Sequence, residues 1–128
     1  MSCLKLPVEA PMVKITPTGI RNEYWRGRLS QNVMTPQRYA RLYITRGVKS
    51  HPRWIEALAA LLAGPAQMHR DINPWGDCDM LKVVLDGDTF YLKVDHYAPG
   101  EELKLGSDDP ADDEKTTRVF TCLLADEY

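Results

Sequence analysis

The chain has 128 residues and a mass of 14.6 kDa, which is the size of a single domain. Hydrophobic residues make up 44% and charged residues 27%, a globular composition that excludes a disordered tail, a coiled-coil rod and a collagen-like chain. The net charge of −2 and an isoelectric point of about 5.9 argue against a uniformly basic nucleic-acid-binding protein.

The small net charge is the result of two halves of opposite sign. Residues 1–70 contain 11 Lys and Arg against 3 Asp and Glu, a net charge of +8, whereas residues 71–128 contain 5 against 15, a net charge of −10. Such asymmetry is typical of charged contact surfaces. It is equally expected of two halves that neutralise each other within one domain, and the sequence leaves both interpretations open.

The beginning of the chain and its cysteines predict a cytoplasmic protein without a membrane partner. Residues 1–11 contain one Lys and no apolar run of the length that export requires, and no window approaches 18 uninterrupted apolar residues. Cys3, Cys78 and Cys122 are odd in number, widely spaced and without a Cys-x-x-Cys pair. This pattern predicts free thiols in a reducing compartment and no thiolate zinc site.

The prolines near the start predict a leader in front of one domain. Pro7, Pro11 and Pro17 each fix the backbone and remove a hydrogen-bond donor, which favours an extended leader over residues 1–18. The remaining residues 19–128 are predicted to form a single α+β domain. No sequence feature indicates an oligomeric state.

The first half of this domain predicts two helices and a strand. Apolar residues at helical spacing predict a helix over residues 19–29, and Tyr, Ile and Thr favour a strand over residues 40–45. Apolar residues then recur at i, i+3, i+4, i+7 and i+8 from Trp54. This spacing predicts a core helix over residues 52–63, with Ser50 as its N-cap.

The second half predicts a hairpin followed by an acid-rich connection. Two β-type runs over residues 79–97 flank Asp86-Gly87-Asp88, a turn sequence typical of β-hairpins. The acidic loop, defined here as residues 98–114, comes next.

The last segment, residues 114–128, predicts a C-terminal helix, because its apolar residues are spaced i, i+1, i+4 and i+5 from Val119. A strand over residues 119–123 is the alternative. The fold class that follows is α+β, a small antiparallel sheet packed on one face by the core helix and by N- and C-terminal helices.

Several short segments resemble one small bacterial family. They are residues 44–48 (Ile-Thr-Arg-Gly-Val), 73–79 (Asn-Pro-Trp-Gly-Asp-Cys-Asp), 92–97 (Leu-Lys-Val-Asp-His-Tyr), 106–112 (Gly-Ser-Asp-Asp-Pro-Ala-Asp) and 117–128 (Thr-Arg-Val-Phe-Thr-Cys-Leu-Leu-Ala-Asp-Glu-Tyr). In this order they resemble an uncharacterised domain found mostly in proteobacteria, often encoded on plasmids and phages. The resemblance covers about residues 20–128, and the last segment is its most specific part.

The resemblance implies a genetic context but no reaction, because the family has no established activity. Its association with mobile genetic elements implies an accessory protein that inhibits a host defence system, as anti-CRISPR and antirestriction proteins do. The partner would then be a host protein or a nucleoprotein complex.

The residues themselves favour non-catalytic protein binding through charged surfaces. The chain has no phosphate-binding Gly-rich loop and no Gly-x-Ser-x-Gly nucleophile, so we predict no enzyme activity, no catalytic residues and no cofactor. Charged surfaces can steer and select partners of opposite sign. The residues predicted to contact the partner are Glu101, Glu102, Asp108, Asp109, Asp112, Asp113 and Glu114 in the acidic loop and Arg21, Arg26, Arg28 and Arg41 in the basic half.

Two alternatives come from other residue groups. Asp77, Asp79, Asp95 and His96 would form a small metal-dependent enzyme or metalloprotein site if the hairpin brought them together, since carboxylates and imidazole are competent metal ligands. Asp77 and His96 depart from the residues that the family usually has there, which weakens this reading. The second alternative is direct nucleic-acid binding, because the arginines of the basic half are interleaved with Tyr and Trp.

Overall fold

The computed structural model describes residues 12–31, 34–100 and 102–128. Its helices and strands confirm the α+β class. In chain order they are α1 (Pro17–Ser30), β1 (Ala40–Ile44), α2 (Arg46–Lys49), α3 (Trp54–Ala63), β2 (Met80–Leu85), β3 (Asp88–Tyr97) and β4 (Thr117–Leu124). Short 3-10 turns at Asp113–Lys115 and Ala125–Glu127 flank β4. Most of the predicted leader, residues 1–11, lies outside the described residues.

The four strands form one sheet in the order β1-β4-β3-β2. The predicted hairpin is confirmed, with β2 and β3 antiparallel and Leu85 opposite Asp88 at its turn. Strand β4 is antiparallel to β3 but parallel to β1. The sheet is therefore mixed, and the expectation of an antiparallel sheet is wrong at β1, where a long connection through the helices and the hairpin lets the chain return in the same direction.

The C-terminal segment is a strand, so the helix predicted over residues 114–128 is wrong. Strand β4 lies between β1 and β3, and its residues Val119, Phe120, Cys122 and Leu123 are all buried. A strand that is covered on both faces carries a nearly continuous apolar run without alternation. Such a run cannot be distinguished from a buried helix by periodicity alone, and the order of the sheet decides it here.

The helices begin at slightly different residues from those predicted. Helix α1 begins at Pro17, two residues earlier, because the Thr16 hydroxyl accepts a hydrogen bond from Gly19 N at 3.0 Å and proline suits the first turn. Helix α3 begins at Trp54. The predicted N-cap Ser50 instead ends α2 and donates from its hydroxyl to the Arg46 carbonyl at 2.9 Å.

The core lies between the helices and one face of the sheet. Trp25 of α1 and Leu61 of α3 pack with Phe90, Leu92 and Phe120 of the central strands. The alternate residues of the strands point to the opposite face. This arrangement places the connection between β3 and β4, which contains the acidic loop, at one end of the sheet.

Candidate functional site

The acidic loop is fastened to the sheet at both of its ends. Near β3, Tyr97 forms a β-bridge with Gly106, and Ser107 N donates to the His96 carbonyl at 3.1 Å. Near β4, the hydroxyls of Ser107 and Thr116 lie 2.8 Å apart in a hydrogen bond. The described part of the loop, residues 98–100 and 102–114, is thus a folded part of the domain.

One carboxylate of this loop, Asp113, points into the protein. It accepts hydrogen bonds from Arg21, from Trp25 Nε1 at 3.1 Å and from Arg118 at 3.0 Å. Burial alone would raise the pKa of Asp113, but the hydrogen bonds from Arg21 and Trp25 and the charge of Arg118 outweigh it and hold the pKa below its usual value. Asp113 is therefore an internal counter-ion that joins α1 to β4.

The group that organises this region is Arg118, whose side chain is fully buried on strand β4 at 0% exposure. Besides Asp113, it donates to Asn22 Oδ1 at 2.9 Å and to the Pro110 carbonyl. Burial lowers the pKa of Arg118, since the charged form loses its hydration. A buried guanidinium is tolerated only when carboxylate and carbonyl oxygens replace that hydration, as they do here.

His96 completes the buried group through Asn22. Its Nε2 lies 3.0 Å from Asn22 Oδ1, which already accepts from Arg118, while Asn22 Nδ2 donates to the Asp77 carbonyl at 2.8 Å. Because the shared atom is an oxygen, His96 Nε2 carries the proton and donates it. Burial and then the charge of Arg118 lower the pKa of His96, so its imidazole is neutral near neutral pH.

A second contact holds the acidic loop to the start of β1. The guanidinium of Arg38 donates to the main-chain carbonyls of Glu114 at 2.5 Å and Thr116 at 3.2 Å. The Tyr39 hydroxyl donates to the Glu114 carboxylate at 2.8 Å. The basic and acidic halves of the sequence therefore do neutralise each other in part, along the seam formed by Asp113 and Glu114 and also at the hairpin turn, where Arg53 pairs with Asp86 at 2.8 Å.

Three other predicted acids of the loop, Glu102, Asp108 and Asp109, face solvent. Asp108 and Asp109 are exposed, and Asp112 is half-buried with its carboxylate accepting from Glu114 N at 2.9 Å. Within the described part of the chain, no Lys or Arg forms an ion pair with Asp108, Asp109 or Asp112. Exposed Glu102 pairs with the neighbouring Lys104 at 2.8 Å. Glu101 lies outside the described residues.

The four arginines predicted to bind a partner have different surroundings. Arg21 contacts Asp113 and lies over the Tyr24 ring at 4.4 Å. Buried Arg26 donates to the carbonyls that end α3, including that of Leu61 at 2.9 Å.

Arg28 and Arg41 lie apart from that seam. The Nε atom of half-buried Arg28 has no hydrogen-bond partner among the described residues. Arg41 lies on β1 and donates to the Gln37 carbonyl at 3.0 Å. The arginines and aromatic rings of the basic half thus do not form one continuous surface, since Arg26 is internal and Trp25 is buried.

The residues of the predicted metal site are near one another but differently engaged. Asp77 accepts from the Thr16 hydroxyl at 2.5 Å, and Asp95 pairs with Lys93 at 3.0 Å. Burial, and then the charges of Asp77 and Asp95, raise the pKa of Asp79. Across residues 12–31, 34–100 and 102–128, no group of three or more His, Cys, Asp or Glu side chains is placed to hold a metal ion.

The described cysteines are not activated nucleophiles. Burial raises the pKa of the Cys78 thiol to about 11, and burial does the same to the Cys122 thiol. A thiol with such a pKa stays protonated near neutral pH, whereas nucleophilic attack requires the thiolate. Both thiols are free and belong to the interior of the domain.

The two outer edges of the sheet differ in a way that the sequence did not indicate. At β2, the Gln67 side chain donates to the Lys82 carbonyl at 2.8 Å and accepts from Lys82 N at 2.9 Å, as a neighbouring strand would. Asn73 Nδ2 donates to the Met80 carbonyl at 3.0 Å on the same edge. Strand β1 has no such cover at Leu42 and Ile44 among the described residues, so its edge is open there.

Sequence reasoning also missed Arg118, Asn22 and Gln67. The signal for Arg118 was a single arginine next to the apolar run of the last segment, and nothing in the sequence distinguished it from a solvent-exposed arginine. Asn22 had no distinguishing signal in α1, and Gln67 lay between the predicted core helix and the predicted hairpin, where no element was predicted. Their roles depend on contacts between segments far apart in the chain.

The comparisons with known proteins identify a family but no function. A family model described as "Protein of unknown function (DUF3768)" matches residues 44–127. No curated protein and no solved structure matches the chain. In the described residues, no helix has the length and apolar character that crossing a membrane requires.

Proposed function

We propose that the chain, which belongs to the DUF3768 family of proteins of unknown function, is a non-catalytic protein that binds a partner through its acidic loop. The observation that carries the proposal is the outward set of carboxylates, Asp108, Asp109 and Asp112, which have no internal cation within the described residues. The partner surface that fits these carboxylates is rich in Lys and Arg.

The fastening of the loop supports this role. Contacts of Asp113 with Arg118 and of Glu114 with Tyr39 hold the loop before any partner arrives. A preformed loop loses less conformational entropy on binding than a loop that must first be ordered. The inward carboxylate thus stabilises the surface from which the outward ones act, and charge complementarity accelerates the encounter and selects the partner.

The kind of partner follows, within this proposal, from the association with mobile genetic elements that the family resemblance implies. The chain is an accessory protein of a plasmid or phage that acts in the bacterial cytoplasm. Its partner is a host protein or nucleoprotein complex of a defence system, whose basic nucleic-acid-binding surface the acidic loop occupies. Inhibition then requires only binding, in agreement with a chain whose motifs indicate no reaction.

The test compares two variants that change the net charge equally. The first neutralises the outward set, with Asp108→Asn, Asp109→Asn and Asp112→Asn. Tagged wild type and variant are used to capture proteins from a lysate of the bacterial host, and the retained proteins are quantified by mass spectrometry. We expect proteins retained by the wild type to be lost from the variant, and to be released from the wild type as salt is raised.

The control removes three exposed carboxylates elsewhere, with Glu56→Gln, Asp71→Asn and Asp126→Asn. This variant should retain the same proteins as the wild type, because its acidic loop is intact. Equal retention by all three proteins would contradict the proposal. Equal loss from both variants would also contradict it, since overall charge rather than the loop would then be responsible.

A further inference from the structure

Strand β1 has main-chain groups that point away from the sheet. The Tyr39 carbonyl accepts from Arg118 N at 2.9 Å, and Thr45 N donates to the Cys122 carbonyl at 3.1 Å. In a parallel pair the groups that face the partner strand belong to alternate residues. The N–H and C=O groups of Ala40, Leu42 and Ile44 therefore point outward. The edge is open at Leu42 and Ile44, whereas Ala40 is only 2% exposed.

Most of these outward groups have no hydrogen-bond partner among the described residues. Ala40 N donates to the Pro36 carbonyl at 3.2 Å, but no hydrogen bond from the described residues reaches the outward groups of Leu42 or Ile44. The side chains of Leu42 and Ile44 are only half-buried, whereas Phe120 and Cys122 on the adjacent strand are fully buried. An open edge of this kind accepts a further strand, and natural proteins otherwise protect such edges.

The sequence of β1 fits an antiparallel copy of itself. With Leu42 opposite Leu42 of a second chain, Ala40 stands opposite Ile44 and Arg41 stands opposite Tyr43, each pair occurring twice. Ala40 is only 2% exposed in the single chain, so the groups that cover it must move aside for Ile44 of the second copy to lie beside it. On the other face, Arg41 meets Tyr43, whose side chain is half exposed at 50%.

We propose that two copies of this chain pair through β1, antiparallel and about a two-fold axis at Leu42, to form a continuous eight-stranded sheet. The two Leu42 residues exchange two main-chain hydrogen bonds, and each Ile44 N–H donates to Ala40 C=O of the other copy. Since Ala40 N already donates to Pro36, four hydrogen bonds across the axis use every remaining outward N–H of β1.

The Arg41–Tyr43 pairs favour a second copy over an unrelated strand. In this register they occupy a non-hydrogen-bonded position, where side chains on one face approach most closely. A guanidinium over a tyrosine ring is an attractive pair, and the arrangement repeats on both sides of the axis. A two-fold axis requires such self-complementarity, and the five residues of β1 provide it.

The first test measures mass against concentration by sedimentation equilibrium. The wild type should approach twice 14.6 kDa as its concentration rises. Ile44→Pro, which removes an outward N–H without breaking a bond to β4, should remain at the monomer mass. A wild type that stays monomeric at every concentration, or an Ile44→Pro variant that still dimerises, would overturn the proposal.

Two matched variants separate pairing from folding. Ile44→Val keeps the N–H and should dimerise like the wild type. Val84→Pro introduces the same ring on the outer edge of β2 and should also dimerise, because that edge takes no part. Circular dichroism verifies that all three variants are folded. Loss of dimer in all three folded variants would show that the effect is not specific to the β1 edge and would overturn pairing through β1.

The second test measures register in a Cys3→Ser background, where the remaining cysteines are buried. Arg41→Cys and Tyr43→Cys chains are mixed and oxidised with glutathione disulfide. Disulfide-linked dimers should form in the mixture, because these positions face each other, and not from either chain alone. The register would be overturned if no disulfide-linked dimer formed in the mixture, or if the mixture and each chain alone formed equal amounts. The binding of a basic partner by the acidic loop is tested separately and does not depend on the outcome.

Discussion

Asp108 and Asp113 lie five residues apart in one acidic loop but have opposite surroundings. Asp113 accepts from Arg21, Trp25 and Arg118 inside the protein, whereas Asp108 is exposed to solvent. The difference shows that a run of acidic residues need not act as one surface. The position of the buried Arg118 divides the run into a part that stabilises the fold and a part that is free to meet a partner.

The largest effect should come from removing the inward carboxylate. Asp113→Ala leaves the Arg118 guanidinium buried without its counter-ion, and breaking a buried pair from one side costs about 3–5 kcal/mol. Asp108→Ala should change the free energy of unfolding by less than about 0.5 kcal/mol, as is usual for surface residues. Urea denaturation measures the free energy of unfolding of both variants, and similar losses for the two would contradict the different roles of Asp108 and Asp113.

A smaller loss is expected from Asn22→Ala. This substitution removes the oxygen that accepts from Arg118 Nε and His96 Nε2, so two buried donors lose their partner. Leaving a buried donor unsatisfied costs about 1–3 kcal/mol, and Arg118 keeps Asp113 and the Pro110 carbonyl as partners, so we expect the total to stay below the loss from Asp113→Ala. Asn22→Asp retains an acceptor oxygen and serves as the matched variant. Equal stability of Asn22→Ala and wild type in urea would contradict the network.

The pH dependence of the protein's stability should distinguish the contribution of His96 from that of Asp113. The pKa of His96 is lowered in the folded protein, so its contribution is complete above the unfolded value of about 6.5 and is lost as pH falls through the folded pKa. Asp113 also has a lowered pKa and loses its contribution only below about pH 4. The unfolding temperature, measured from neutral to acidic pH, should therefore decline in two steps.

His96→Gln is the variant that assigns the first step. It should reduce the decline that begins near pH 6.5 and leave the more acidic step in place. Arg118 opposes the protonation of His96, whereas Asp77 and Asp95 favour it, and the lowered pKa reflects the balance of these groups with burial. An unchanged first step in His96→Gln would assign it to another group.

The smallest effect on stability is expected from the outward set. Asp108→Asn, Asp109→Asn and Asp112→Asn together should alter the free energy of unfolding by less than about 1 kcal/mol, since solvated carboxylates contribute little and only short turn hydrogen bonds are affected. Urea denaturation at low and high salt measures this. A large loss would mean that these carboxylates also support the fold.

Local signals in the sequence were sufficient for the hairpin and for most of the helices. The Asp86-Gly87 turn and the spacing from Trp54 act over a few residues, so they predict structure without knowledge of the rest of the chain. Strand β4 was missed because its apolar run is explained only by its position between β1 and β3. Its neighbours in the sheet come from distant parts of the sequence.

The candidate site shows the same limit. Its charged residues were evident from composition, and Asp108, Asp109 and Asp112 do face solvent or lie half-buried at the surface. Their separation from Asp113 depends on Arg118, whose burial results from tertiary packing. Charge patterns therefore predicted an acid-rich segment but not which of its carboxylates form ion pairs inside the fold.

The side chains that cover the edge of β2 determine how large an assembly can become. A pair of chains joined through β1 would expose one β2 edge at each end of the common sheet. Gln67 and Asn73 occupy those ends with hydrogen bonds that a third chain would otherwise make. Growth would stop at two chains, so these two amides are the difference between a closed particle and a filament that lengthens without limit.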